Sequence, residues 1–143
     1  MTDETEECLN PHGELVLRTL AMPADTNANG DIFGGWIMSQ MDIAGGILSK
    51  EAANHPRMVT VGVEAMRFHK PVKIGDVVCC YGAVQRVGNT SITIHLEVWV
   101  KPVLRQEEFR CPRFMVTEAD FTYVAIDDAG NKTRIKKVAS TTV

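Results

Sequence analysis

Hydrophobic and polar residues alternate with two different periods along the chain, and the switches between them mark its elements. From Ser91 to Lys101 the alternation is strict, with Ile92, Ile94, Leu96, Val98 and Val100 on one face and Ser91, Thr93, His95, Glu97, Trp99 and Lys101 on the other. That period of two describes a strand whose first face meets a core while the second does not. Glu14 to Met22, Met58 to Phe68, Asp76 to Val87 and Arg113 to Asp127 read as further strands. From Gly34 to about Ala53 the period becomes helical, because Ile37, Met41, Ala44 and Leu48 fall on one stripe. Trp36, Ile43 and Ile47 widen that stripe until little of the helix is polar, so something must wrap it, and Asn54-His55-Pro56 stops it. Lys70-Pro71 and Gly88-Asn89 are too short for parallel crossovers, which makes the sheet antiparallel. The pattern predicts an α+β arrangement in which a sheet curls around one central helix.

A length of 143 residues suits one domain. We divide the chain into a loose acidic arm (1–13), a single domain (14–137) and a short tail (138–143), with a basic run from Lys132 to Lys137. Hydrophobic residues at 45% and charged residues at 23% exclude a wholly disordered chain, and a net charge of -3 gives no general attraction to nucleic acid. The apolar stretch Ile32 to Leu48 carries Gln40 and Asp42 near its middle, so it predicts a buried helix and no membrane span. The acidic start lacks the features of a secretory signal. Cys8, Cys79, Cys80 and Cys111 show no paired spacing, and Cys79 and Cys80 point to opposite faces of one strand. Reduced thiols and a cytoplasmic location are the expectation.

Elimination narrows the chemistry. The chain has no GxSxG elbow, SxxK, Walker loop, GxGxxG or HExxH. Its four histidines (His12, His55, His69, His95) are scattered, with no other metal-binding residue at ligand spacing, so no metal is expected and His95 reads as solvated or interfacial. What remains is the loop Asn27-Ala28-Asn29-Gly30-Asp31 leading into Gly34-Gly35, and Asp42 beyond it. Paired glycines at a helix start let a ligand approach bare N–H groups at the positive end of the dipole, where they could polarise a carbonyl; they can equally serve close packing. Asp42 has Met38, Met41, Ile43, Gly45 and Gly46 as neighbours, and a carboxylate in such surroundings needs a partner, a raised pKa, a task, or an escape to solvent.

The run Leu17 to Asp42, together with Lys70-Pro71, Gly75 to Tyr81 and Glu97 to Lys101, resembles the YciA-type acyl-CoA thioesterases of the hotdog-fold superfamily. The resemblance covers about residues 15–130 and departs at Leu104 to Arg113 and at the Asn54-His55-Pro56 turn. It implies a hotdog fold, with a five- or six-stranded antiparallel sheet around the Gly34 to Ala53 helix, homodimers with shared active sites, and a trimer of dimers. It also implies an acyl-CoA substrate, no separate cofactor, and catalysis by Asp42 on the helix with Asn27 from the preceding loop. Asn29 is the runner-up for the second role.

These residues are chemically sufficient. A thioester releases a thiolate whose thiol has a pKa near about 8.5, so a strong general acid is dispensable. A donor for the developing oxyanion, such as the Gly35 N–H, and a carboxylate acting as base or nucleophile complete the need. Gly35 and Asp42 stand roughly 10 Å apart along one helix, which points to a site built from two chains. For CoA phosphates the candidates are Gly34, the basic group Arg67, His69, Lys70 and Lys73, and the turn Asn89-Thr90-Ser91. A hydratase would want a histidine near the helix, and none lies between His12 and His55. A non-catalytic acyl-CoA-binding module is the alternative reading.

Overall fold

The computed structural model describes residues 7–136. In chain order it contains β1 (Glu14–Leu20), α1 (Gly34–Ala53), β2 (Met58–Phe68), β3 (Val77–Val87), β4 (Ser91–Lys101) and β5 (Phe114–Ala125). Short 3-10 turns lie at Pro23–Asp25 and Gln106–Glu108. The helix, β2 and β4 have the predicted bounds, whereas β1, β3 and β5 stop one or two residues short at their ends.

The strands form one sheet in the order β1-β3-β4-β5-β2, with every ladder antiparallel. The two strands that flank α1 in sequence are thus the two edges of the sheet, and the helix carries the chain from one edge to the other. Ile37, Met41, Ala44 and Leu48 of α1 are buried, facing the alternating set Ile92, Ile94, Leu96, Val98 and Val100 of β4. Each of these side chains larger than alanine contributes about 1.5–3 kcal/mol relative to exposure. Two glycines permit this close approach: a Cβ on Gly45 would stand 2.1 Å from the Tyr123 hydroxyl, and one on Gly82 would stand 2.5 Å from Leu48 Cδ1.

The outer face of β4 differs from the expectation of a face without a core. Trp99 is buried there with Cys79 and Tyr81, packed on Val77 and Met115, while Cys80 points into the main core. The reason is the N-terminal arm. Cys8 is disulfide-bonded to Cys111, the His12 N–H donates to Glu97 Oε1 at 3.1 Å, and Arg113 donates to Asn10 at 2.9 Å. This corrects two expectations. The arm is not loose from residue 8 onward, and Cys8 and Cys111 are not reduced thiols, which removes the cysteine argument for a cytoplasmic location. A pairing across 103 residues follows from the fold and not from spacing. Residues 1–6 lie outside the described part.

Arg105 anchors the segment before β5 through a bidentate pair with buried Asp76, its Nη2 and Nε donating at 2.6 and 3.2 Å. Of the predicted basic tail, Ile135 is buried and its N–H donates to Asn89 O at 2.8 Å; residue 137 and the tail 138–143 lie outside the described part. No described helix is long and apolar enough to cross a membrane.

One flank, the edge of β2, is left apolar and open. Val59, Val61 and Val63 on that strand are exposed, Val61 at 57%. Met38, Ile43 and Ile47 of α1 are exposed too, on different sides of the helix. An exposed, hydrophobic edge strand of this length is a template for pairing with another chain.

Candidate active site

Asp42 sits in mid-helix, half-buried, with both its charge and its position accounted for. Thr60 Oγ1 donates to Asp42 Oδ1, and the Tyr123 hydroxyl lies 3.0 Å from the same oxygen and 3.1 Å from the Asp42 carbonyl. Burial first, and the Asp42 charge second, push the Tyr123 phenol far above its ordinary range, so it remains a protonated donor. Two hydroxyls on Oδ1 leave Oδ2 as the oxygen with no protein donor among the described residues. Hydrogen bonds to a charged acceptor contribute about 1.5–3 kcal/mol, which fixes the carboxylate in one orientation. Thr60 lies on edge strand β2, so Asp42 stands beside the open flank.

Asn27 holds its loop together. Its Oδ1 accepts from the N–H groups of Asn29 at 2.9 Å and Asp31 at 3.1 Å, and its backbone N–H donates to Asp31 O at 2.7 Å. The carbonyl end of the side chain is therefore committed to the turn, while its amide NH2 makes no hydrogen bond among the described residues. Asn29 is exposed and contributes its N–H to that turn. At the helix start the N–H groups of Trp36 and Ile37 are taken by Phe33 O, whereas those of Gly34 and Gly35 have no acceptor among the described residues. A Cβ at Gly35 would meet nothing within 4 Å, so this backbone is open to a ligand.

The basic residues divide. Lys70 and His69 line a cavity of about 330 Å³ together with Gly34, Phe68 and Asp31. The Lys70 ammonium stands 5.2 Å from the Phe114 ring centroid and 5.9 Å from that of Phe109, and these two rings stack. Lys73 is paired with Asp31, and Arg67 lines an adjoining groove with Glu118 and Asp120, which His69 also borders. Asn89, Thr90 and Ser91 form the β3–β4 turn, where the carbonyls of Asn89 and Thr90 accept from Ile135 and Ala125. The ladders put this turn beside Val124, at the end of the sheet opposite Phe68 and Lys70. One chain does not bring the two candidate phosphate sites together. The sequence singled out Asp42 and the glycines by their surroundings and Asn27 through the family resemblance, but not Thr60 or Tyr123, which reach Asp42 only through tertiary packing.

Comparison with known proteins agrees with this architecture. The sequence pattern of the thioesterase superfamily matches residues 29–105. The acyl-CoA thioester hydrolase YciA of Salmonella typhimurium strain LT2 is 63% identical over 120 residues, covering 84% of this chain and 88% of that protein. Its counterpart in Escherichia coli strain K12 is 62% identical, covering 84% of this chain and 89% of that protein. The hexameric thioesterase y2039 of Yersinia pestis superposes with a TM-score of 0.82 at 60% identity, covering 90% of this chain and all of that one. A hexameric broad-specificity acyl-coenzyme A thioesterase gives 0.84 at 53%, covering 99% and 92%. With one long helix wrapped by a five-stranded antiparallel sheet, the chain belongs to the hotdog-fold thioesterase superfamily, among its YciA-type acyl-CoA thioester hydrolases.

Proposed function

We propose that this protein hydrolyses acyl-CoA thioesters to a carboxylic acid and CoA at sites shared by two copies of the chain, in an assembly hexameric like those of its relatives. The observation that carries the reading is Asp42 itself. It is a carboxylate clamped by Thr60 and Tyr123 on one oxygen, with the other oxygen free, beside an unpaired strand edge.

Water held at Oδ2 gives its proton to Asp42 as its oxygen bonds to the thioester carbon. The developing oxyanion accepts from the Gly35 N–H and the Asn27 amide; collapse then breaks the C–S bond, and the CoA sulfur leaves with the proton returned by Asp42. Asn27 acts as a donor to the carbonyl and does not orient the water, because its own oxygen is used by the loop. Asp42 of one copy meets Gly35 and Asn27 of the other. The unpaired edge of β2, with Val61 exposed on it, supports an antiparallel pairing with a second β2 about a two-fold axis. The same axis carries the Asn89–Ser91 turn of one copy toward the Lys70 end of the other, so both can serve CoA phosphates.

Thiol release from a panel of acyl-CoAs tests the activity. Turnover by the wild type, with kcat at least about a hundredfold lower in a folded Asp42→Asn variant, is the expected result. Tight acyl-CoA binding without turnover would instead establish the non-catalytic binding module.

A further inference from the structure

A second cluster of charged side chains lies on the other face of the sheet from α1, away from Asp42. Across the β4–β5 ladder, His95 stands opposite Asp120 and Glu97 stands opposite Glu118. Three carboxylates therefore crowd around one imidazole, and facing like charges destabilise a sheet. Among the described residues the ion pairs of all three run to His95. Arg67 stands opposite Glu118 across the β2–β5 ladder and lines the same groove, yet one guanidinium and one imidazolium do not cancel three carboxylates.

The geometry points to a binding site for a divalent cation of the zinc class, with His95 Nε2, Glu97 Oε2 and Glu118 Oε1 as ligands. These three atoms lie within 4.8 Å of one another, Nε2 being 3.0 Å from Glu97 Oε2 and 3.4 Å from Glu118 Oε1. A tetrahedral ion with bonds of about 2.0–2.1 Å needs ligand atoms about 3.3 Å apart, so the side chains need little rearrangement. The atoms behind the ligands are also in place. His95 Nδ1 hydrogen-bonds Asp120 Oδ1 at 2.9 Å, the carboxylate–histidine contact that presents Nε2 to a metal. The Gln85 side-chain amide, oriented so that its NH2 faces Asp120, donates to both carboxylate oxygens at 3.0 Å. Glu97 is 7% exposed; its Oε1 accepts from Trp99 Nε1 at 2.9 Å and from the His12 N–H at 3.1 Å, leaving Oε2 for the ion. The exposed His12 ring lies nearby, its centroid 6.1 Å from that of His95. One imidazole with two carboxylates suits zinc, cobalt or manganese better than magnesium or calcium. Sequence spacing hid the group, because Glu118 joins it only through strand pairing; the expectation of no metal rested on spacing alone.

The test is titration of untagged, chelator-treated full-length protein with Zn²⁺ by calorimetry and with Co²⁺ by visible absorption. One ion per chain is expected, with a raised melting temperature in the wild type. Glu118→Gln, at a half-exposed position, should lower affinity at least about a hundredfold, and Asp120→Asn about ten- to a hundredfold while stoichiometry stays at one. Circular dichroism and hydrodynamic size confirm that each variant is folded. No saturable binding in the wild type, or equal binding in folded Glu118→Gln, would overturn the site and leave the cluster as an imidazolium held by carboxylates.

Discussion

The Tyr123 hydroxyl reaches Asp42 Oδ1 at 3.0 Å because residue 45 is glycine: a Cβ there would stand 2.1 Å from the hydroxyl oxygen. The helix, in effect, omits a side chain so that a buried phenol can steady its carboxylate. Gly45→Ala must therefore displace either the ring or the helix. Overpacking of this kind costs about 1–3 kcal/mol of stability. Steady-state kinetics and thermal melts should show kcat falling at least about tenfold together with a lower melting temperature.

Removing the donors tests orientation more gently. In Tyr123→Phe and in Thr60→Val one hydroxyl still holds Oδ1. Loss of a hydrogen bond to a charged group should lower kcat about ten- to a hundredfold with KM changed by less than about twofold. The double variant should lose more than either single one, and a KM effect alone in acyl-CoA kinetics would count against an orienting role.

Lys70 stands over Phe114 and shares a cavity with Gly34, whose N–H has no acceptor among the described residues. Lys70→Ala is expected to raise KM for acyl-CoA and to leave short acyl thioesters without the nucleotide unaffected. Comparing the two substrate types on the same preparation checks this; equal losses would indicate damaged folding.

The cysteines give a count that needs no activity. Cys79 and Cys80 are buried and free, and burial, then the neighbouring Cys79, push the Cys80 thiol up to about 12. At pH 8 it is a protonated, shielded thiol and a poor nucleophile. Thiol titration should find essentially none in the native protein, two per chain after denaturation, and four after reduction as well.

Much of the fold was readable because burial is one-sided and periodic. The alternation in β4 and the apolar stripe of α1 each left a regular trace, and their bounds followed. Asp42 was readable because a carboxylate among methionine, isoleucine and glycine needs a reason. Its partners were not: Thr60 and Tyr123 are 18 and 81 residues away, and neither looks unusual in its own strand. The faint signal was Tyr123 at an inward strand position, where a phenol requires a buried acceptor. The Cys8–Cys111 bridge and the His95, Glu97 and Glu118 group were hidden for the same reason, since each depends on segments joined only by the sheet and its covering arm.

The measurement that bears most directly on a shared site is complementation between inactive chains. An Asn27→Ala chain paired with an Asp42→Asn chain makes one site with both defects and one with none if the two residues come from different copies. Random mixing gives half heterodimers, so co-refolding should restore about a quarter of wild-type thioester hydrolysis. If Asn27 and Asp42 serve from the same chain, no intact site forms, and mixtures with mass-confirmed heterodimers that stay inactive would contradict the account.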